Sequence, residues 1–152
     1  AKFGLAETRD GDTALFADCF TTLQNGRVDH TNFFRALSSL TAESTAADDA
    51  LALAFENRSE WYDWQRAYRE RLRAESRSDD ERHRAMKRAN PKFVLRNYLA
   101  QQAIAAAENH DYTEIARLHD VLRAPFDERP GDERYAQTPP DWAAHIEVSC
   151  SS

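Results

Sequence analysis

Phe93-Val94-Leu95-Arg96-Asn97-Tyr98-Leu99-Ala100-Gln101-Gln102-Ala103-Ile104-Ala105-Ala106-Ala107-Glu108 is the stretch on which the fold turns. Leu95, Tyr98, Leu99, Ala103 and Ala106 recur at three- and four-residue spacing, so they fall on one helical face. Val94, Ala100, Ile104 and Ala107 widen that face. The spacing predicts a helix over 93–108, roughly 24 Å long at ~1.5 Å per residue. A helix apolar on so much of its circumference is expected at the centre of its fold. Asn90-Pro91 sets a sharp entry, because proline disfavours helical backbone in the residue before it. Residues 109–111 read as a tight turn, and Asp111 is placed to cap a second helix over 113–123. Ile115, Leu118, His119 and Leu122 make its expected buried stripe. Helices joined this closely pair antiparallel, as an αα-hairpin.

Working toward the amino terminus, nearly every segment reads as helix. Asp12 is placed to cap a helix over 13–24 with an apolar face of Leu15, Phe16, Cys19, Phe20 and Leu23. Asn25-Gly26 ends it, since glycine accepts the left-handed conformation common at a helix C-terminus. A helix over 30–39 buries Phe33, Phe34 and Leu37, and the small, polar residues 38–47 read as a loop. A short helix over 48–55 carries Leu51 and Phe55. Ser59 is expected to cap a longer helix on which Trp61, Trp64, Tyr68 and Leu72 recur at helical spacing. Ser78-Asp79-Asp80-Glu81 matches a capping box, in which serine and glutamate satisfy each other's orphan backbone donors, and opens a helix over 79–88.

Past Pro125 the character changes. Pro130, Gly131, Pro139 and Pro140 break regular structure, so 126–141 is expected to wrap the surface as an irregular strap anchored by Phe126, Tyr135 and Trp142. A turn at 141–144 leads to an extended end, 146–152. The fold expected is all-α: an irregular multi-helix bundle with an αα-hairpin and an extended C-terminal tail. Its division is a helical module over 1–124 and a Pro-containing strap with a Cys-bearing tail over 125–152.

The chain's 152 residues suffice to bury a real core, and an apolar fraction of 41% beside a charged fraction of 30% is that of a globular protein. A net charge of −6 argues against a dedicated nucleic-acid binder. No apolar run is long enough to cross a bilayer, so neither nucleic acid nor membrane is expected as a partner. Cys19 and Cys150 form no CxxC, metal spacing or disulfide framework, which fits a reducing compartment; the cytoplasm is the expectation. Cys19 falls on an apolar stripe, where a free thiol behaves as a small hydrophobe.

Chemistry is harder to find. A kinase-like nucleotide site needs a glycine-rich loop, a lysine and magnesium-binding carboxylates. Gly4, Gly11, Gly26 and Gly131 stand too far apart for such a loop. Asp48-Asp49 and Asp79-Asp80 sit where helix starts favour negative charge, so capping explains them better than metal binding. His30, His83, His110, His119 and His145 share no metal-ligand spacing, and His119 reads as a core histidine. The residues by themselves give no support for catalysis. Between Arg58 and Arg96, arginines interleave with acids, which reads first as a solvated, salt-bridged helix pair. Docking against an acidic face is the functional alternative. RNA binding, with Trp61, Trp64 and Tyr68 stacking on bases, ranks below both, because those rings share one face and read better as core.

Several ordered segments carry a resemblance. They are Lys2-Phe3-Gly4-Leu5, the Asp29 to Leu37 stretch with its Phe33-Phe34-Arg35, and Asn90 to Gln101. Leu122-Arg123-Ala124-Pro125-Phe126-Asp127-Glu128, Tyr135 through Trp142, and the closing Val148-Ser149-Cys150-Ser151-Ser152 complete the set. In that order and spacing the chain resembles the C-terminal end of the selenoprotein O (YdiU-like) family. These kinase-like proteins are pseudokinases by descent that transfer AMP from ATP to protein hydroxyls (AMPylation).

The resemblance implies that the parent needs ATP and magnesium, that its catalytic groups lie upstream, and that none falls on this chain. It implies as partners the kinase-like catalytic domain of the same protein and, through that domain, protein substrates. It also implies a redox role for Cys150, which matches the tail position of a selenocysteine in animal members. The disulfide partner it suggests is a cysteine of the catalytic part, ahead of a buried Cys19. Ser149 and Ser151 supply no cation to lower the thiol pKa. The alternative reading is a stand-alone helical interaction domain without enzymatic activity.

Overall fold

The computed structural model describes residues 1–43, 47–143 and 146. Among them are seven α-helices, two short 3-10 turns and no strand, so the protein is all-α as its patterning predicts. The helices are α1 (Asp12–Asn25), α2 (His30–Leu37), α3 (Ala47–Ala52), α4 (Arg58–Arg73), α5 (Asp79–Ala89), α6 (Asn97–Glu108) and α7 (Thr113–Leu122). The 3-10 turns are Glu133–Ala136 and Asp141–Ala143. Contacts divide the chain into two units, Ala1–Asn90 and Pro91–Ser152, each with its own apolar core.

In the first unit, α1 lies along α4 and α2 packs on α3 and α5. The core is aromatic. Trp61 stacks on Phe55 with ring centroids 5.1 Å apart, Trp64 stacks on Tyr68 at 4.9 Å, and Phe33 meets Trp61 edge-on at 5.8 Å. Such pairs add to the area they remove from water. Two of the polar tips are served, Trp64 Nε1 donating to Leu15 O at 2.9 Å and Tyr68 Oη to Phe3 O at 2.7 Å, whereas Trp61 Nε1 is buried without a partner. Trp61 and Tyr68 are wholly enclosed, the core role that their spacing predicts. Gly4 sits at φ 72° against Met86, whose Sδ would lie 2.7 Å from any added Cβ, so only glycine fits there.

Helix ends show how local chemistry set the boundaries. The capping box at Ser78 forms in full. Asp12 is not the cap of α1 but lies in its first turn, after Gly11 at φ 92°. Asn57 rather than Ser59 caps α4, its Oδ1 accepting from Ser59 N at 3.2 Å. The left-handed residue after α1 is Arg27 (φ 50°), while Gly26 stays right-handed. Val28 N donates to Leu23 O at 2.9 Å and Arg27 N to Gln24 O at 3.2 Å, the paired bonds of a Schellman motif. Gly26 is needed for closeness instead: an added Cβ would come within 3.0 Å of the Phe55 ring.

The second unit departs further from its patterning. α6 starts at Asn97, not at residue 93. Lys92 N and Phe93 N both donate to Pro125 O, at 2.7 and 3.0 Å, and this holds the entry extended while Phe93 is buried. α6 is not central either. It buries Tyr98, Leu99 and Ala103 and leaves Ile104 exposed, and Leu95 stands exposed in the entry ahead of it. The buried row of α7 is Leu118 and Val121, which turns Ile115 and His119 outward. The αα-hairpin forms, with α6 packed on α7. His110 closes α6 in the left-handed conformation (φ 63°) with the same Schellman pairing, Asp111 N to Ala106 O at 3.0 Å. The cap of α7 is Tyr112 rather than Asp111, although Thr113 N donates to Asp111 Oδ1 at 3.0 Å from one residue further back. Beyond Pro125, Tyr135 is an anchor, being 2% exposed. Phe126 and Trp142 are 41% and 60% exposed, Trp142 meeting the Tyr98 ring edge-on at 6.0 Å. A proline-broken segment offers no periodic face to bury all three.

Candidate functional site

The polar frame of the first unit is built by arginines on α4 and α5 that turn inward rather than into solvent. Arg69 donates to Asp48 Oδ1 at 2.5 Å and also reaches the Thr41 and Glu43 carbonyls at 3.1 and 3.2 Å. Arg71 donates to Asp12 Oδ1 at 2.6 Å, Glu75 Oε1 at 2.5 Å and Glu7 O at 2.7 Å. Arg82, 2% exposed, donates to Leu40 O. Each guanidinium has several donors in a fixed fork, so it can satisfy loop carbonyls that no helix supplies with partners. The expectation of a solvated arginine face therefore fails for Arg69, Arg71 and Arg82. A signal was present in the spacing. Trp61, Gln65 and Arg69 form one i+4 row of α4, and Arg82, Met86 and Asn90 form one through α5; every member is buried.

Electrostatics follow the pairing. The hydrogen bond from Arg71 holds the Asp12 carboxyl below the usual carboxylate range; burial works against this, and Arg9 N–H adds to it. Asp48, expected only to cap α3, is 5% exposed and committed to Arg69. Asn90 is 1% exposed, with Nδ2 donating to Lys2 O at 3.0 Å and its carbonyl accepting from Arg35 at 3.0 Å. The Asn90-Pro91 corner thus ties the amino-terminal segment to α2.

A smaller frame stands in the second unit. Asp132, 2% exposed, accepts from Arg117 and from Arg129, the latter at 3.0 Å. Burial raises its pKa, but these two guanidinium hydrogen bonds outweigh burial and the net shift is downward. Asn97 Nδ2 donates to Ile146 O at 3.0 Å, which links the first residue of α6 to the segment beyond the second 3-10 turn, whereas Gln101 is exposed. Nothing in the sequence singled out Asp132, because its partners come from α7 and from the strap.

The groups with reactive potential lie apart. Cys19 is 1% exposed, and burial pushes its thiol up to about 12. Cys150 and His145 fall outside the described residues. His30, His110 and His119 are exposed on separate helices or turns, and the His83 ring Nδ1 lies 2.8 Å from Ser38 O. Among the described residues no three His, Cys, Asp or Glu side chains gather as a metal site. Asp12, Asp48, Glu75 and Asp132 are all taken by arginines. Gly4 and Gly26 are packed against side chains rather than open to a phosphate.

The family model described as Protein adenylyltransferase SelO matches residues 1–123. Among curated relatives, the Protein nucleotidyltransferase YdiU of Herminiimonas arsenicoxydans is 48% identical over 152 residues, covering 100% of this chain and 30% of the relative. That of Burkholderia multivorans is 47% identical over 152 residues, covering 100% of this chain and 29% of its own. That of Pseudomonas aeruginosa LESB58 is 45% identical over 151 residues, covering 99% and 31% respectively. This chain thus spans about 30% of the length of the relatives it matches. With a family model matched across most of its helices, the chain belongs to the SelO family.

Proposed function

We propose that this chain is the C-terminal helical portion of a protein adenylyltransferase that transfers AMP from ATP to serine, threonine or tyrosine hydroxyls of proteins. The glycine-rich loop, lysine and magnesium-binding acids of that reaction belong to the remaining part of the parent. This chain supports that part, and alone it is inactive. The observation that carries the reading is the pairing of near-complete coverage of this chain with about 30% coverage of relatives named nucleotidyltransferases. The exposed Leu95, Ile104, Ile115 and Trp142 of the second unit support it as well, because apolar surface of this kind suits packing against more of the same protein. The tail thiol Cys150 adds a redox-responsive group, which forms a disulfide with a cysteine of the catalytic part by thiol–disulfide exchange with a small disulfide oxidant that takes up the two electrons, and is released again by a thiol reductant. The scarcity of cysteine supports a reducing compartment, the cytoplasm.

The test is an AMP-labelling assay with α-labelled ATP, magnesium and an acceptor protein, run on the full-length parent and on the 152 residues alone. Labelling by the parent and none by the chain is the expected result. Label transferred by the 152 residues alone would sink the proposal.

A further inference from the structure

Most arginines on α4 and α5 meet a carboxylate. Arg66 pairs with Asp63, Arg69 with Asp48, Arg71 with Asp12 and Glu75, Arg73 with Glu43 and Arg82 with Asp79. Arg58, Arg84 and Arg88 do not, nor does Arg77 on the connection between the two helices. Arg77 donates to Gly4 O at 3.3 Å, Arg84 to Asp80 O at 3.2 Å, and Arg88 stands in the last turn of α5 with no ion pair among the described residues. Arg77, Arg84 and Arg88 line one cleft of about 500 Å³. In a chain with 26 acidic and 20 basic residues, carboxylates are abundant, so gathering three guanidiniums without a close salt bridge at one place runs against the composition, although Arg84 and Arg77 share the field of Glu81 there.

We infer that this cleft is a binding site for a compact, multiply charged phosphate anion. Arg84 and Arg88 are four residues apart on one face of α5, and Arg77 comes to the same cleft from the α4–α5 connection, beside the Ser76 side chain. Glu81 also lines the cleft, but its Oε2 is held by Ser78 Oγ at 2.8 Å and Ser78 N at 3.2 Å, the capping box of α5. Its charge offsets part of the field without closing the arginines' donors. Guanidinium forks match phosphate oxygens in pairs, and charge-assisted bonds of this kind are about twice as strong as neutral ones. The apolar lining is only Ala6 and Ala85. With no aromatic platform the cleft cannot stack a base, and with no apolar pocket it gives an acidic peptide no side-chain footing. It therefore reads phosphate charge, whether free pyrophosphate or the polyphosphate end of a nucleotide. The inference does not depend on the proposed AMP transfer.

Titration calorimetry of the full 152-residue chain with sodium pyrophosphate at low ionic strength tests it, with ATP and a short polyglutamate peptide as parallel ligands. Arg84 and Arg88 are exposed, so Arg84→Glu/Arg88→Glu is expected to keep its helicity by circular dichroism. Saturable binding of one pyrophosphate is expected, weakened about tenfold or more by that double reversal. The pair Arg84→Lys/Arg88→Lys, which keeps charge but loses the fork, should bind severalfold more weakly than the native chain. ATP binding within about threefold of pyrophosphate supports phosphate reading, since no stacking surface distinguishes them. Absence of saturation in the native chain, unchanged affinity in either double variant, or tighter binding of the peptide than of pyrophosphate would overturn the inference.

Discussion

Arg71 and Asp12, 59 residues apart, meet through two hydrogen bonds, Nε to Oδ1 at 2.6 Å and Nη2 to Oδ2 at 3.3 Å. Their side chains are only 10% and 6% exposed, so the pair fastens α4 to the first turn of α1 inside the structure. Because the folded pKa of Asp12 is depressed, the stability it contributes is full above the unfolded value of about 3.9 and is lost as pH falls through the folded value. Asp12→Asn should destabilise by about 2 kcal/mol at neutral pH, the loss of a hydrogen bond between charged groups, since Arg71 keeps Glu75 and the Glu7 carbonyl as partners. It should also flatten the fall in stability on acidification. Urea midpoints measured from pH 7 down to pH 3 check both; parallel profiles for the two proteins would remove Asp12 from the account.

Cys19 is enclosed and its thiol is pushed up to about 12, so almost no thiolate exists at neutral pH and reagents cannot reach it. Iodoacetamide treatment followed by peptide mapping should leave Cys19 unmodified in the native protein and modify it fully in denaturant. Cys19→Ser should be less stable than Cys19→Ala, because a hydroxyl buried without a partner costs about 1–3 kcal/mol. Rapid native alkylation of Cys19 would contradict its burial.

The end of α1 separates two roles of glycine. Arg27 holds the left-handed conformation at φ 50°, which costs an L-residue about 1 kcal/mol. Arg27→Gly should therefore raise the thermal midpoint. Gly26→Ala should lower it, because the new Cβ would press within 3.0 Å of the Phe55 ring. The opposite signs are the test: a lower midpoint for Arg27→Gly would refute the assignment of strain to Arg27, and a higher one for Gly26→Ala would refute the close packing assigned to Gly26.

The pattern of Trp61, Trp64, Tyr68 and Leu72 was legible because these side chains bury one face of a long helix. Periodicity reports such faces directly. The Ser78 box was legible because it is closed within four residues. What spacing does not carry is long-range charge: Asp12 with Arg71, or Asp132 with Arg117, depends on elements that chain connectivity brings together late. The overreach at α6 has a related cause. Apolarity around Leu95 and Ile104 reads as burial, yet both stand exposed in the second unit.

Those exposed side chains separate the stability of this chain from that of its parent. Ile104 and Ile115 are 43% and 44% exposed, so replacing them costs the 152-residue chain little, within about 0.5 kcal/mol for each surface change. If the proposed packing onto the catalytic part is right, the same positions are covered in the full-length protein. Burial of an isoleucine there is worth about 1.5–3 kcal/mol. Ile104→Glu/Ile115→Glu should then leave the melting of this chain nearly unchanged and lower that of the parent by several degrees. Calorimetric scans of the two proteins side by side decide the matter. Equal shifts in both would mean that neither residue meets the rest of the parent, and the apolar surface of the second unit would lose its assigned occupant.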